Sequence, residues 1–221
     1  MRAPILRGAM DDRLQSTNRL VAEPDAPFAI AVLAASAGGL DAITAVLEAL
    51  PAGFPLAVAV VLHRSGQLPN MLPDILDRRS ALPVRLVVAG ERVLPGIVYI
   101  AIPTLHLSIT ADRVFACADG ATINYVHSSA DPLLRSAAAL YGRSAIAIVL
   151  SGSGRDGAEG ARAIGAAGGY VIVQDEATAQ AFGMPRAAIA TGEVDEILPV
   201  EQIGPRLVRL AELGRGARQP D

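Results

Sequence analysis

Short apolar segments alternate along the chain with longer stretches in which apolar residues recur every three or four positions. Five segments are apolar at nearly every position, as expected of strands buried on both faces: 28–35, 56–62, 84–88, 145–150 and 170–173. Six stretches have helical periodicity: 40–50, 68–79, 131–140, 158–167, 185–190 and 201–213. Strands that alternate with helices form parallel sheets covered on both sides. The pattern therefore predicts an α/β fold with a doubly wound, mostly parallel sheet flanked by helices.

The alternation is interrupted between residues 97 and 118. Three short apolar segments, 97–102, 105–110 and 114–118, follow one another across connections of only two and three residues. A parallel crossover needs a dozen residues or more, so these connections predict an antiparallel hairpin or meander inserted into the fold. The helix that follows is predicted to begin at Asp131, with this residue as its N-cap and Pro132 in its first turn.

Both ends of the chain are rich in polar residues, which predicts that the folded domain extends over 28–213. Residues 1–27 are predicted to form a flexible arm and residues 214–221 a disordered tail. Within the arm, 14–22 is compatible with a short helix. The longest apolar runs are of strand length, far short of the roughly 20 residues that cross a bilayer. The first ten residues lack the apolar core of a secretory signal. We therefore expect no membrane insertion and a cytoplasmic location.

Charge and cysteine content narrow the classes of partner and cofactor. A net charge of −3 gives no basic surface of the kind that nucleic-acid binding needs, so no nucleic-acid partner is expected. Cys117 is the one cysteine, which excludes an internal disulfide and a cysteine-based zinc site. The three histidines have no H-x-x-x-H spacing, so neither a metal nor another cofactor is predicted. The composition does not indicate an oligomeric state.

Three residues with side chains suited to hydrolysis come after predicted strands. Ser36 follows the strand at 28–35, His63 follows the next strand, and Asp156 lies in the loop after the strand at 145–150. Ligands of open parallel sheets bind at the carboxyl ends of the strands, so these residues would share one crevice. A serine hydroxyl needs a neighbouring base that is oriented by a third group. The sequence therefore predicts a serine hydrolase with Ser36 as nucleophile, His63 as base and Asp156 as its orienter.

The turn around the serine supports this interpretation. Residues 34–38 match the nucleophile elbow G-x-S-x-G, except that Ala34 replaces the first glycine. The backbone N–H groups of Ala37 and Gly38 lie at the start of the next predicted helix, where unpaired donors favour an oxyanion. The chain order Ser, His, Asp differs from the order in α/β-hydrolases, chymotrypsins and subtilisins, which implies convergence.

Each of these residues also has an ordinary structural interpretation. A serine after a strand is commonly a turn former or helix cap, and a histidine at a strand end is commonly a hydrogen-bonded structural residue. Asp156 could simply cap the helix that follows Gly157. For His106 in the hairpin and His127 in a loop, surface or structural roles are favoured.

Nucleotide binding is a second functional class that the sequence allows. Gly152, Gly154 and Gly157 fit G-x-G-x-x-G between a strand and a helix, and Asp175 follows the next strand at a distance suited to a ribose contact. Against this interpretation, Asp156 would place a negative charge beside the pyrophosphate. Saturable binding of nicotinamide and adenine dinucleotides is expected only of a nucleotide-binding protein.

Over nearly the whole span 28–213, the chain closely resembles the catalytic domain of bacterial chemotaxis protein-glutamate methylesterases of the CheB type. The resemblance is found in the segments 35–39, 62–63, 94–101, 131–136, 150–158, 174–177 and 182–189. It implies a hydrolase that removes γ-methyl esters from glutamates on the helical domain of a methylated chemoreceptor and releases methanol, with receptor glutamine deamidation as a further activity. It assigns the roles of nucleophile, base and orienter to Ser36, His63 and Asp156.

The chain departs from the family pattern at several positions. Ala37 follows the nucleophile where relatives commonly have Thr, and Ser153 lies in the glycine loop where they commonly have Met. Backbone donors survive such replacements, so Ala37, Gly38 and Ser153 are the expected oxyanion and substrate-positioning residues, with a lower rate as one consequence. Segment 127–129 replaces the usual Arg-Pro-Ser, which bears on substrate docking.

The resemblance leaves two further expectations about regulation and activity. Many relatives have an N-terminal receiver domain that is phosphorylated, and the 27 residues before the predicted domain are too few to form one. Regulation by phosphorylation on this same chain is therefore not expected. The alternative to an active esterase is a catalytically degenerate module that only docks onto receptor helices or another signalling protein.

Overall fold

The computed structural model describes residues 29–63, 71–119 and 128–216. In chain order its strands are β1 (Ile30–Ala35), β2 (Ala57–Leu62), β3 (Val84–Leu86), β4 (Val98–Ile100), β5 (His106–Ile109), β6 (Phe115–Ala118), β7 (Ala145–Val149), β8 (Tyr170–Gln174) and β9 (Glu196–Leu198). Its α-helices are α1 (Gly39–Glu48), α2 (Leu72–Asp77), α3 (Asp131–Tyr141), α4 (Ala158–Ala166), α5 (Gly183–Ile189) and α6 (Val200–Gly216). The predicted arm over 1–27 with its helix at 14–22, residues 68–70, His127 and residues 217–221 lie outside the described residues.

Seven of the described strands form one parallel sheet in the order β3-β4-β2-β1-β7-β8-β9. Strand β1 lies at the centre, paired with β2 on one side and β7 on the other. Every side chain of β1 is buried, which explains why this segment is apolar at each position rather than at alternate ones. The predicted doubly wound α/β architecture is confirmed.

Helices cover both faces of the sheet, and β1 supplies side chains to each in turn. Leu33 and Ala35 belong to the core shared with α1, α2 and α6. Val32 and Ala34 belong to the core on the opposite face, shared with α3, α4, α5 and the β5–β6 hairpin. This alternation decides which face a side chain at the end of β1 points to.

The antiparallel insertion is present but smaller than a meander of three strands. β5 and β6 pair antiparallel, as predicted. The prediction that 97–102 joins an antiparallel meander is wrong, because β4 lies parallel between β2 and β3 in the main sheet. The short connection at Pro103-Thr104 excludes parallel pairing between neighbouring segments, but it allows the chain to leave one sheet and begin another.

Two other local predictions need correction. Strand β9 was not predicted, because it has only three residues and its side chains are at most half-buried. Asp131 is not the N-cap of α3: Ala130 has that position, and the Ser129 hydroxyl accepts from the Asp131 N–H at 3.2 Å. The Asp131 carboxylate instead accepts a hydrogen bond from the Gly160 N–H of α4, at 2.8 Å. Pro132 does lie in the first turn of α3, as predicted.

Over the described ranges, no helix has both the length and the apolar composition that crossing a bilayer would require. In the same part of the chain, no group of three or more His, Cys, Asp or Glu side chains is arranged to hold a metal ion.

Candidate active site

The carboxyl ends of β1, β2 and β7 meet at one edge of the sheet. Ala34 and Ala35 of β1 are in register with Val61 and Leu62 of β2, and the His63 N–H continues this ladder by donating to the Ala35 carbonyl at 3.0 Å. One more step in the same register places Ser36 beside His63. On the other side, the Ser36 N–H donates to the Ser151 carbonyl, just past β7, at 2.9 Å. Ser36 therefore lies between the two neighbouring strand ends.

His63 and Asp156, 93 residues apart in the chain, are joined by a hydrogen bond. The His63 Nε2 atom lies 2.7 Å from Asp156 Oδ2, and the two side chains are 9% and 2% exposed. Ser36 is half-buried, so its side chain remains accessible to a substrate. The three strand-end residues that the sequence singled out thus lie at the same edge of the sheet.

The Asp156 carboxylate receives hydrogen bonds on both oxygens. Oδ2 accepts from the Ala130 N–H at 2.7 Å as well as from His63, and Oδ1 accepts from the Ser129 hydroxyl. Burial acts to raise the pKa of Asp156, but the hydrogen bonds from His63, the Ala130 N–H and Ser129 outweigh it, so the pKa lies below its ordinary value. The carboxylate is ionised at neutral pH.

Asp156 does not cap the helix that follows it. The N-cap of α4 is Gly157, without a side-chain hydrogen bond. The carboxylate lies instead at the N-terminus of α3, where it accepts from the N-cap residue Ala130. The simple capping interpretation of Asp156 therefore does not describe its contacts.

Ser129 is a site residue that the sequence did not single out. It is completely buried, and its hydroxyl donates to Asp156. From the sequence alone, segment 127–129 indicates only a departure from the family pattern that bears on substrate docking. The signal that could have found it is a serine just before a predicted helix, a position from which a hydroxyl can reach polar groups near the helix start.

The turn after Ser36 is held tightly by its neighbours. Gly38 has a φ of +72°, and a Cβ there would overlap the Gln180 side chain and lie 2.8 Å from Ser151 Oγ. Ser151 is another residue that the sequence analysis missed. Its buried hydroxyl donates to the Ala37 carbonyl at 2.7 Å and accepts from the Ala181 N–H at 3.0 Å. The hydroxyl thus joins the nucleophile turn to the loop before α5.

The glycine loop after β7 passes directly beside Ser36. A Cβ on Gly152 would lie 3.0 Å from Ser36 Cβ, and Ser153 is the next residue, with an exposed side chain. Within the described part of the chain, no acceptor receives a hydrogen bond from the backbone N–H groups of Ala37, Gly38 and Ser153.

The acidic residues of the nucleotide interpretation have other partners. Asp175 Oδ1 accepts from both the backbone N–H and the hydroxyl of Thr178, at 3.0 and 2.6 Å. Asp156, within the glycine motif, is bound to His63. Both carboxylates are therefore bound to other groups of the protein. This favours the hydrolytic interpretation over nucleotide binding.

Comparison with known proteins gives concordant matches. The family model for the CheB methylesterase matches residues 31–207. A protein-glutamate methylesterase/protein-glutamine glutaminase of Anaeromyxobacter dehalogenans is 42% identical over 180 residues, which are 81% of this chain and 52% of that protein. A protein-glutamate methylesterase/protein-glutamine glutaminase 1 from Xanthomonas campestris pv. campestris is 36% identical over 216 residues, covering 96% of this chain and 57% of the relative.

A solved structure agrees with the same fold. The crystal structure of the Thermotoga maritima CheB methylesterase catalytic domain superposes with a TM-score of 0.80 at 36% identity, and the match covers 83% of this chain and 98% of that domain. The chain spans about half the length of the curated relatives that it matches.

Proposed function

The chain belongs to the CheB methylesterase family, and from this membership and the geometry at the sheet edge we propose that it is a serine hydrolase acting on glutamate γ-methyl esters. Ser36 is the nucleophile, His63 the base and Asp156 the residue that orients the base. The single observation that supports this most strongly is the 2.7 Å hydrogen bond between His63 Nε2 and Asp156 Oδ2, beside Ser36. A base fixed in this way next to a serine at a strand end is the arrangement that acyl transfer requires.

The contact of His63 Nε2 with Asp156 fixes which ring nitrogen acts as the base. The ionised Asp156 carboxylate can only accept a hydrogen bond, so His63 Nε2 bears the proton and Nδ1 is the basic nitrogen. Nδ1 takes the Ser36 proton as Oγ attacks the ester carbonyl. Asp156 then stabilises the imidazolium, which returns the proton to the leaving methoxide to form methanol. Water repeats the sequence on the acyl-enzyme and releases the carboxylic acid.

The oxyanion formed in each step needs donors at the serine turn. The N–H groups of Ala37, Gly38 and Ser153 have no acceptor in the described ranges, and α1 begins directly after the first two. Such open donors near a helix N-terminus stabilise developing negative charge. Because the donors are backbone groups, the side chains of Ala37 and Ser153 do not abolish this contribution.

The proposed substrate is a methylated chemoreceptor, at glutamates on its helical cytoplasmic domain, which implies a cytoplasmic location for the protein. The matched relatives are named protein-glutamate methylesterase/protein-glutamine glutaminase. We extend both reactions to this chain, since an amide carbonyl reacts by the same attack and releases ammonia in place of methanol.

The test uses a receptor cytoplasmic domain that bears tritiated methyl esters, with volatile tritiated methanol as the readout. The wild-type protein is expected to release methanol, and Ser36→Ala to lower the rate by at least about a thousandfold. Ser80→Ala is the matched control, because among the described residues the one hydrogen bond of this hydroxyl is accepted from the Leu82 N–H in a distant turn. Equal release by wild type and Ser36→Ala would exclude the assigned nucleophile.

A serine-directed fluorophosphonate separates the esterase from a degenerate docking module. The esterase is expected to be labelled at Ser36, with the label located by peptide mapping. Binding to the receptor without any labelling would favour the docking module. Saturable binding of nicotinamide or adenine dinucleotides in place of labelling would favour the nucleotide interpretation of Gly152, Gly154 and Gly157.

A further inference from the structure

The β5–β6 hairpin lies outside the main sheet, and the proposed reaction assigns it no role. Its first residue, His106, is nevertheless buried, with only 8% of its surface exposed. A buried imidazole is costly unless its nitrogens are hydrogen-bonded, so its contacts indicate what it holds in place.

His106 contacts the segment that holds the Asp156 carboxylate. The Ser129 backbone N–H donates to His106 Nδ1 at 3.3 Å. The hydroxyl of the same serine donates to Asp156 Oδ1, and the next N–H, from Ala130, donates to Asp156 Oδ2. Ser129 therefore links an imidazole on the hairpin with a carboxylate in the glycine loop.

We propose that His106 is a positioning residue for the hydrolytic site: by accepting the Ser129 N–H, it fixes the segment that orients Asp156 and, through it, His63. The inference rests on the proposed function for its kinetic consequence, whereas its structural consequence can be measured without turnover. His106 contacts neither Ser36 nor the proposed oxyanion donors in any described hydrogen bond.

The local backbone explains why this contact matters. Ser129 and Ala130 precede the first residue of α3, so no helical hydrogen bond holds the Ser129 N–H. Ser129 is completely buried, and without the imidazole its N–H would lose this acceptor away from water. A buried donor without an acceptor is strongly unfavourable, so the segment would shift toward a new partner and take the Ser129 hydroxyl with it.

A contact between the hairpin and α3 provides a matched control. The Ile109 N–H, three residues after His106 in β5, donates to the Ser136 hydroxyl of α3 at 2.9 Å. Ser136 also donates to the Leu133 carbonyl within α3. Ser136→Ala removes this contact without touching the segment that contacts Asp156, so it measures the effect of loosening the hairpin alone.

The test compares two substitutions of similar size at the histidine. In His106→Asn, the side-chain oxygen lies close to the position of Nδ1 and can accept from the Ser129 N–H, whereas His106→Leu has no acceptor. We expect His106→Leu to lower kcat on the tritiated receptor domain about tenfold with KM changed less than about twofold, because the residue does not touch substrate. His106→Asn and Ser136→Ala are expected to stay within about twofold of wild type in kcat.

A structural readout accompanies the kinetics. The Nε2 proton shared by His63 and Asp156 is expected to give a downfield proton resonance that disappears in Asp156→Asn. It should persist in His106→Asn and be weakened or shifted in His106→Leu. Should His106→Leu fail to fold, His106→Val replaces it, because this β-branched side chain suits a strand and likewise has no acceptor.

The outcomes separate the two hypotheses. If wild type neither releases methanol nor reacts with fluorophosphonate, the proposed function fails, while the resonance still reports whether His106 positions Asp156. If His106→Leu and His106→Asn had equal kcat values and equal proton resonances, the role of His106 would be overturned. If kcat fell by the same factor in His106→Leu and Ser136→Ala, the role would also be overturned, because the effect would then come from general loosening of the hairpin.

Discussion

Asp131 and Asp156 bind the start of each other's helix: the Asp131 carboxylate lies at the N-terminus of α4, and the Asp156 carboxylate lies at the N-terminus of α3. Asp131, the first residue of α3, accepts from the Gly160 N–H in the first turn of α4 at 2.8 Å. Asp156, just before α4, accepts from the Ala130 N–H at the start of α3 at 2.7 Å. This reciprocal capping satisfies donors that would otherwise be unpaired and places negative charge where both helix dipoles favour it. The proposed catalytic carboxylate is thus part of the helix–helix contact.

Removal of the Asp131 carboxylate is expected to lower stability. Asp131→Ala leaves the buried Gly160 N–H without its acceptor and should reduce the free energy of unfolding by about 1–2 kcal/mol. Asp131→Asn keeps an acceptor oxygen and should have a smaller effect. The measurement is urea denaturation, with Asp41→Ala in the exposed first turn of α1 as control. A loss in the control as large as in Asp131→Ala would contradict a specific cap.

The Ser129 hydroxyl is expected to matter for the rate of the reaction. Ser129→Ala removes a charge-assisted hydrogen bond to Asp156 and should lower kcat on the methylated receptor domain about tenfold. Ser128→Ala is the matched control, since the neighbouring serine is also buried and makes no described hydrogen bond to Asp156. The measurement is steady-state kinetics on the methylated receptor domain. Similar kcat values for both alanine variants would show that the hydrogen bond from Ser129 to Asp156 does not contribute to the reaction.

The close approach of α3 and α4 depends on the missing side chain at Gly160. A Cβ there would overlap the Cβ of Leu134 in α3, and Leu134 Cδ1 would lie only 2.7 Å away. Although alanine is the better helix former, Gly160→Ala is expected to destabilise the fold by about 1–3 kcal/mol and to lower kcat by displacing the start of α3.

Removal of the Leu134 side chain should relieve this clash. In the background of Leu134→Gly, which removes the Leu134 Cβ as well, adding Gly160→Ala is expected to cost little further stability, because all the overlapping atoms are gone. The measurement is a double-mutant cycle of unfolding free energies. Additive losses would show that the two side chains do not compete for the same space.

The lowered pKa of Asp156 predicts how stability depends on pH. The pKa in the folded protein lies below the unfolded value of about 3.9, so the ionised carboxylate stabilises the fold above about pH 4. This contribution is lost as the pH falls through the folded-state pKa. The difference in unfolding free energy between wild type and Asp156→Asn should therefore be full at pH 7 and smaller at pH 3, by urea titration. A difference that is constant or grows toward low pH would contradict the assignment.

Much of the site could be predicted because its main residues follow strands. Ser36 and His63 come directly after long apolar runs, and the position of such residues at a parallel sheet edge is a property of the fold. Ser129 follows no strand, and Ser151, although it follows β7, acts through hydroxyl contacts with backbone groups of segments distant in sequence. Their partners depend on how helices and loops pack.

The same distinction explains the errors in the fold. A cap assignment to Asp131 follows local rules, and these rules cannot reveal that a second helix offers the carboxylate a buried donor. The parallel position of β4 depends on pairing with β2 and β3, not on the length of the connection to β5. In both cases the partner in the folded protein is distant in sequence, whereas the prediction assumed a partner nearby in the chain.

The register that places Ser36 beside His63 has a consequence for heat tolerance. These residues follow paired central strands, whose backbones are about 4.8 Å apart. The spacing between the reacting hydroxyl and the imidazole is thus set by the innermost ladder of the molecule, and it is maintained until that ladder separates. On warming, the proposed hydrolase is expected to accelerate up to its melting transition and then to inactivate over the same few degrees in which the sheet is lost.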